Sequence, residues 1–228
     1  MQIDRGQIYG GQIYGGQICG GQIHRGQVYR GLPPGGRDAA AALVAEAFAR
    51  KLRAPLGRGT RAQAFLARAI DPGKVLSAVA PDGRLLGVAG YQIAGEGGFV
   101  GGTLSDLAAI YGWPSAIWRS AVFLALYRPA PGGCLKVETI CVAAGARGQG
   151  VGTALLRALE VEAAQRGLGE LRLEVTDTNP RAQALYQRAG FRSDRVSRMG
   201  PLGPIFGFAR VIGMRRPVGA SVSSAPAP

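Results

Sequence analysis

The stretch that decides the fold is 134-CLKVETICVAAGARGQGVGTALLRALEVEAAQRGLGELRLEVTDTNPRAQALYQRAGF-191. It opens on an apolar strand and turns on the glycine-rich RGQGVG of residues 147–152. The turn runs straight into a segment whose Gly152, Leu155, Leu156, Leu159 and Ala163 fall on one helical face. An alternating strand follows, with Leu171, Leu173 and Val175 set against Arg172 and Glu174. Asn179 then caps a second helix that carries Pro180 at its first position.

The turn is built for an anion. Gly148, Gly150 and Gly152 alternate where strand gives way to helix, and glycine lets a ligand come close to the main chain. The first N–H groups of a helix lack intrahelical acceptors and sit at the positive end of its dipole. Arg147 adds a fixed positive charge. The dinucleotide fingerprint G-x-G-x-x-G fails, because counting from Gly148 puts Thr153 at its last place. The P-loop pattern fails as well, since no Gly-Lys-Ser/Thr occurs.

What fits is Arg-x-x-Gly-x-Gly, carried by Arg147, Gly150 and Gly152. Here the chain resembles the GNAT superfamily of acetyl-CoA-dependent N-acetyltransferases. The resemblance continues through Asn179, Pro180, Ala182, Leu185, Tyr186, Gly190 and Phe191, which match the family's N-x-x-A-x-x-x-Y-x-x-x-G-F segment. It implies an α/β fold of the α+β type: a mixed, mostly antiparallel sheet of six to seven strands flanked by about four helices. It implies acetyl-CoA as co-substrate, and an acetyl group moved to a primary amine of a small molecule or peptide. It assigns the cofactor to Ile140, Cys141 and Val142 along the strand, to Arg147, Gly148, Gln149, Gly150, Val151, Gly152 and Thr153 at the turn, and to Asn179 and Tyr186 on the second helix. Tyr186 becomes the acid that serves the departing sulfur. Glu138, two residues before Ile140, is expected on the face of Ile140 and Val142 and is the candidate base, with Asp177 a weaker one. Direct attack without a dedicated base stays open. The alternatives are a catalytically silent acyl-CoA-binding sensor and a basic nucleic-acid-binding protein.

Composition narrows the classes. At 228 residues the chain suits one domain with a sizeable core. Its net charge of +13 is nearly all arginine, spread without a run of five, so no specific nucleic-acid motif is marked. Cys19, Cys134 and Cys141 have no metal spacing, and His24 is the only histidine, so no metal site and no histidine-based catalyst are expected. No basic-then-apolar leader opens the chain and no apolar run is long enough to span a bilayer. A cytoplasmic monomer or homodimer without a membrane partner is expected.

Residues 2–31 are six copies of a five-residue repeat, from QIDRG to QVYRG. Too few for a packed solenoid, residues 1–26 read as a low-complexity extension. The catalytic domain is placed at 27–216 and a disordered tail at 217–228. Between them, Asp38 is expected to cap a helix over AAAALVAEAFARKL, Lys74 to Ala80 and Leu85 to Ala94 to form a hairpin, and Thr103 to Arg128 to be mostly helical. The apolar stripes of that last segment are expected to pack on the sheet, with an acceptor pocket lined by Tyr111, Trp113 and Trp118 as the other reading. A last strand over Phe206 to Met214 should close the sheet.

Overall fold

The computed structural model describes residues 8–9, 12–13, 15–17, 26–49, 55–57, 59–200 and 203–219. In chain order the elements are β1 (Ile8–Tyr9), β2 (Gln12–Ile13), β3 (Gly15–Gln17), β4 (Gln27–Arg30), α1 (Gly36–Ala47), α2 (Thr60–Ala69), β5 (Val75–Val79) and β6 (Leu85–Ile93). There follow α3 (Leu104–Tyr111), α4 (Trp113–Leu126), β7 (Cys134–Val142), α5 (Val151–Gln165), β8 (Glu170–Thr176), α6 (Pro180–Arg188), β9 (Arg192–Arg198), α7 (Gly203–Phe206) and β10 (Arg210–Pro217). Among the described residues one sheet of eight strands runs β3-β4-β5-β6-β7-β8-β10-β9, in which only β7 and β8 pair in parallel. This is the mixed, mostly antiparallel sheet expected. Its eighth strand is the short β3, where Gly15 and Gln17 of the repeat pair with Arg30 and Tyr29.

Two apolar clusters sandwich the sheet. On one face Leu155, Leu156 and Leu159 of α5 bury against Ala89 and Tyr91 of β6 and Leu171 of β8. Full burial of each leucine contributes about 1.5–3 kcal/mol. On the other face α1 and α2 cover β5 and β6 through Val44, Phe65, Leu66 and Val88.

Three expectations need correction. Helix α1 begins at Gly36 after Gly35 in a left-handed conformation, so Asp38 lies in the first turn and is not the cap. The segment after Thr103 is mostly helical as expected, its two helices parted at Gly112, which takes a φ of 79°. Part of its apolar stripe does not pack on the sheet: Ile117 is 61% and Trp118 45% exposed. Finally, the chain after Phe191 forms two strands, and β10 begins only at Arg210, inserting between β8 and β9. The residues of β9 are exposed and mostly polar, so no hydrophobic alternation announced it.

A buried polar network ties the N-terminal strands to α5. Glu162 of α5 is 1% exposed. Its carboxylate accepts from Arg30 Nε at 2.6 Å, from Arg166 Nε at 2.6 Å and from the Tyr91 hydroxyl at 3.0 Å. Burial alone would raise its pKa, but the hydrogen bonds from Arg166 and Arg30 outweigh burial and hold it below the ordinary 4.5. Glu162→Gln is expected to cost about 2 kcal/mol at neutral pH, less than a fully buried pair would lose, because both arginines stay partly wet. Because the native pKa is depressed, the contribution is present above pH 4.5 and lost as pH falls through the native value. Urea unfolding at pH 7 and at pH 3.5 should therefore show the gap between wild type and Glu162→Gln shrinking on acidification.

Candidate active site

The site begins where β7 and β8 part. Their parallel pairing runs from Cys134↔Glu170 to Val137↔Leu173 and stops, although β7 continues to Val142 and β8 to Thr176. The cause lies on the other edge of β7. Tyr91 of β6 pairs with Val137 and Gly90 with Thr139, so Glu138 is an extra, unpaired residue, a β-bulge. A bulge bends its strand and shifts the side-chain alternation by one residue. Before it, Leu135 and Val137 face the α5 cluster; beyond it, Ile140 and Val142 do, while Cys141 faces the α1 cluster.

This corrects the placement of Glu138. It does not share the face of Ile140 and Val142. Its Oε2 accepts at 2.7 Å from the N–H of Phe99, whose ring belongs to the cluster on the α1 side.

The main chain of β7 sorts the cofactor candidates. The Ala143 N–H donates to the Leu86 carbonyl at 2.9 Å, so Ala143 and Leu86 are a hydrogen-bonded pair. By the alternation of antiparallel ladders Cys141, opposite Val88, also turns its amide toward β6. Ile140 and Val142 turn theirs to the opposite edge, into the gap beside β8. Cys141 thus offers the gap neither main chain nor side chain. Burial pushes its thiol up to about 12.

The turn closes one end of the gap. Gly148 and Gly150 hold φ of 76° and 81°, which other residues rarely adopt. Gly152 serves close approach, since a Cβ there would lie 3.3 Å from Leu185. The first backbone bond into α5 is donated by Ala154 to Gly150. Among the described residues, the N–H groups of Gly148, Gln149, Gly150, Val151, Gly152 and Thr153 donate to no backbone carbonyl. Arg147 stands beside them, donating to the Val142 carbonyl at 3.2 Å and lying 3.6 Å from Glu46 of α1. Gln149 folds its amide back onto the Gly145 carbonyl at 2.7 Å. The Val151 side chain is buried in the core.

Helix α6 closes the other end. The Asn179 side chain accepts from the Ala182 N–H at 3.2 Å, which is the cap expected. Tyr186 is buried with its ring 6.0 Å from that of Phe191. Burial, and to a lesser degree the Cys141 thiol, push its phenol up to about 12, so it holds its proton at neutral pH.

Between these ends a cavity of about 270 Å³ passes through the sheet. Ile140, Ala182 and Tyr186 line it from one side, and Ala47, Phe48 and Glu138 from the other. Phe206, Phe208 and Glu174 also line it, and sequence reasoning missed all three. Paired phenylalanines in a Pro/Gly-rich connection were the available signal. Tyr111, Trp113 and Trp118 are not in the lining; Tyr111 and Trp118 instead stack on Arg119, 4.2 and 4.3 Å from its guanidinium. Asp177 is also outside the lining. Among the described residues no group of acidic, cysteine and histidine side chains could hold a metal.

The sequence profile described as acetyltransferase (GNAT) family matches residues 43–191. A streptothricin acetyltransferase from Streptomyces lavendulae is 47% identical over 57 residues, which span 25% of this chain and 30% of that protein. In three dimensions the chain is similar to a GCN5-related N-acetyltransferase from Kribbella flavida, with a TM-score of 0.54 at 22% identity over 85% of this chain and 98% of that one. An N-acetyltransferase from Staphylococcus aureus Mu50 gives 0.56 at 17% identity, over 83% and 99%. Both structural likenesses concern the fold.

The conformational demand at the turn is testable without ligand. Gly150→Ala must place a Cβ at a φ of 81° and should lower stability by about 1–2 kcal/mol. Gly145→Ala adds its Cβ to open space at an ordinary φ and should stay within about 0.5 kcal/mol of wild type in the same denaturant titration.

Proposed function

The chain belongs to the acetyltransferase (GNAT) family, and we propose on that premise that it moves an acetyl group from acetyl-CoA to a primary amine. The observation that carries the reading is the row of six unclaimed N–H groups from Gly148 to Thr153 at the end of an open strand edge. Such a row beside Arg147 suits a pyrophosphate. The edge amides of Ile140 and Val142 suit the amide-bearing arm of the cofactor, which pairs as an added strand would. Bound there, acetyl-CoA supplies an activated thioester carbonyl.

The residues then divide the work. Tyr186 holds its proton where the sulfur would leave, and donates it to the departing thiolate. Glu138 stands on the other side of the sheet, the side from which an acceptor would come past Phe48, and takes the proton lost by the attacking amine, directly or through a water. The 57-residue match to a streptothricin acetyltransferase supports a small-molecule amine as acceptor. A reducing cytoplasm suits Cys134 and Cys141, both buried and free. Among the described residues no helix is long and apolar enough to cross a membrane.

Acetyl-CoA at about 100 times its Kd should stabilise the protein by roughly 2.7 kcal/mol. Gly150→Trp, which crowds the turn, should remain folded and lose that gain; an unchanged melting shift in this variant would refute the assignment.

Tyr186→Phe separates chemistry from binding. The ring and its packing on Phe191 remain, so stability and acetyl-CoA affinity should barely move. The turnover number should fall by about 10²-fold or more, with the cofactor KM close to wild type. Survival of turnover within a few-fold would make Tyr186 a packing residue.

A further inference from the structure

The charged lining of the cavity runs against the chain as a whole. The protein carries 27 basic and 14 acidic residues. Yet among the described residues the charged side chains lining the cavity are Glu138 and Glu174, both acidic. They come from the two strands that part, one from the bulge of β7 and one from β8. Around them the wall is aromatic: Phe48 from the end of α1, and Phe206 and Phe208 ahead of β10.

Cations crowd the neighbouring cavity of about 170 Å³, which shares Leu173 and Glu174 with the first. It is lined by Arg128, Lys136, Arg172 and Arg195, none of which lines the cavity beside Tyr186. These cations are already engaged. Arg172 pairs with Glu170 at 2.5 Å and lies 3.6 Å from Asp194. Arg128 donates to the carbonyls of Ala125 and Tyr127, and Lys136 donates to the carbonyl of Arg128. Arg195 bonds Glu174 through Oε1 at 2.9 Å.

An amine approaching the sulfur site arrives as an ammonium ion and meets these two carboxylates. One carboxylate can receive the reacting amine. The other, Glu174 on the facing strand, engages Arg195 through Oε1, which leaves its Oε2 surplus to a monoamine. We propose that Glu138 and Glu174 select an acceptor carrying a second positive charge, with an apolar body held among Phe48, Phe206 and Phe208. This rests on the cavity being the acceptor side of an acetyl-CoA site. A hydrogen-bonded charge pair in such a cleft discriminates by about tenfold or more against a ligand lacking the charge.

Three probes share one ring and one aminomethyl group: benzylamine, 4-(aminomethyl)benzylamine and 4-(aminomethyl)benzoate. Their second substituents are hydrogen, a cation and an anion. Calorimetric titration of each into the protein saturated with CoA measures binding without turnover. The diamine is expected to bind about tenfold more tightly than benzylamine, and the carboxylate-bearing probe more weakly than either. In Glu174→Gln the diamine's advantage should fall to about twofold, while benzylamine and CoA affinities hold. Glu174 is exposed on its strand, so losing its pair with Arg195 should leave the fold intact. Equal binding of diamine and monoamine, preference for the carboxylate, or an undiminished advantage in Glu174→Gln would each overturn the proposal. So would no binding of any probe while CoA still binds, which leaves the acetyl-CoA reading standing. Failure of CoA itself to bind overturns both.

Discussion

The structure turns on the place where two parallel strands stop pairing. Four pairs hold β7 to β8, and then the bulge at Glu138 bends β7 away. A sheet interior that loses its hydrogen bonds without compensation leaves polar groups unsatisfied. Here the loss opens a cavity through the sheet, and the edge amides of Ile140 and Val142 are left for a ligand. Everything functional is arranged around that gap. Helix α5 starts at one end with its N–H groups unclaimed, and α6 brings Tyr186 to the other. The glycine turn would be a bare helix start without the open strand edge beside it.

Such an opening weakens the middle of the sheet, and the polar network about Glu162 lies on the side of α5 that braces it. Arg30 of β4, Tyr91 of β6 and Arg166 of α5 itself converge on one carboxylate. This fixes the azimuth of α5 against the N-terminal half of the sheet with directional bonds, where Leu155 and Leu159 alone would allow rotation or sliding. The direction of the first turn of α5, and so of its N–H groups, follows from that anchoring. Glu162 is thus a structural counterpart to Glu138. One carboxylate is held by two arginines to lock a helix; the other accepts the main-chain N–H of Phe99 beside the cavity.

Much of this was legible in the sequence, and the reasons differ by element. The turn at residues 147–152 and the cap at Asn179 are local devices, each set by a residue type with one physical use there, so they read directly. Tyr186 came with the family's N-x-x-A-x-x-x-Y segment, and it lies buried on α6. The bulge at Glu138 was not legible, because it is a property of pairing between two strands and leaves no glycine or proline as a marker. Missing it put Glu138 on the face of Ile140 and Val142, which it does not share. Strand β9 escaped for another reason: exposed on its length and rich in arginine, it has no hydrophobic period to read. The stripe of α4 reads as a packed face in sequence, yet Ile117 and Trp118 face outward, since periodicity reveals that residues share a face and not what covers it.

The bulge also separates two kinds of chemistry. Without it, Ile140 and Val142 would share the α1 face with Glu138 in a regular alternation, and β7 and β8 would remain zipped past Leu173. With it, the carboxylate sits toward α1 and Phe99 while Ile140 and Val142 turn toward α5. In the proposed reaction the proton given to the thiolate and the proton taken from the amine are handled on opposite sides of the gap. Tyr186, its phenol pushed up to about 12 by burial, holds its proton on the α6 side of the sheet. Glu138 lies across the gap on the side where the aromatic wall of Phe48 opens. An acceptor would then come from one face and the thiolate depart toward the other, so that a single displaced residue in one strand sets both the opening of the site and the direction of proton flow through it.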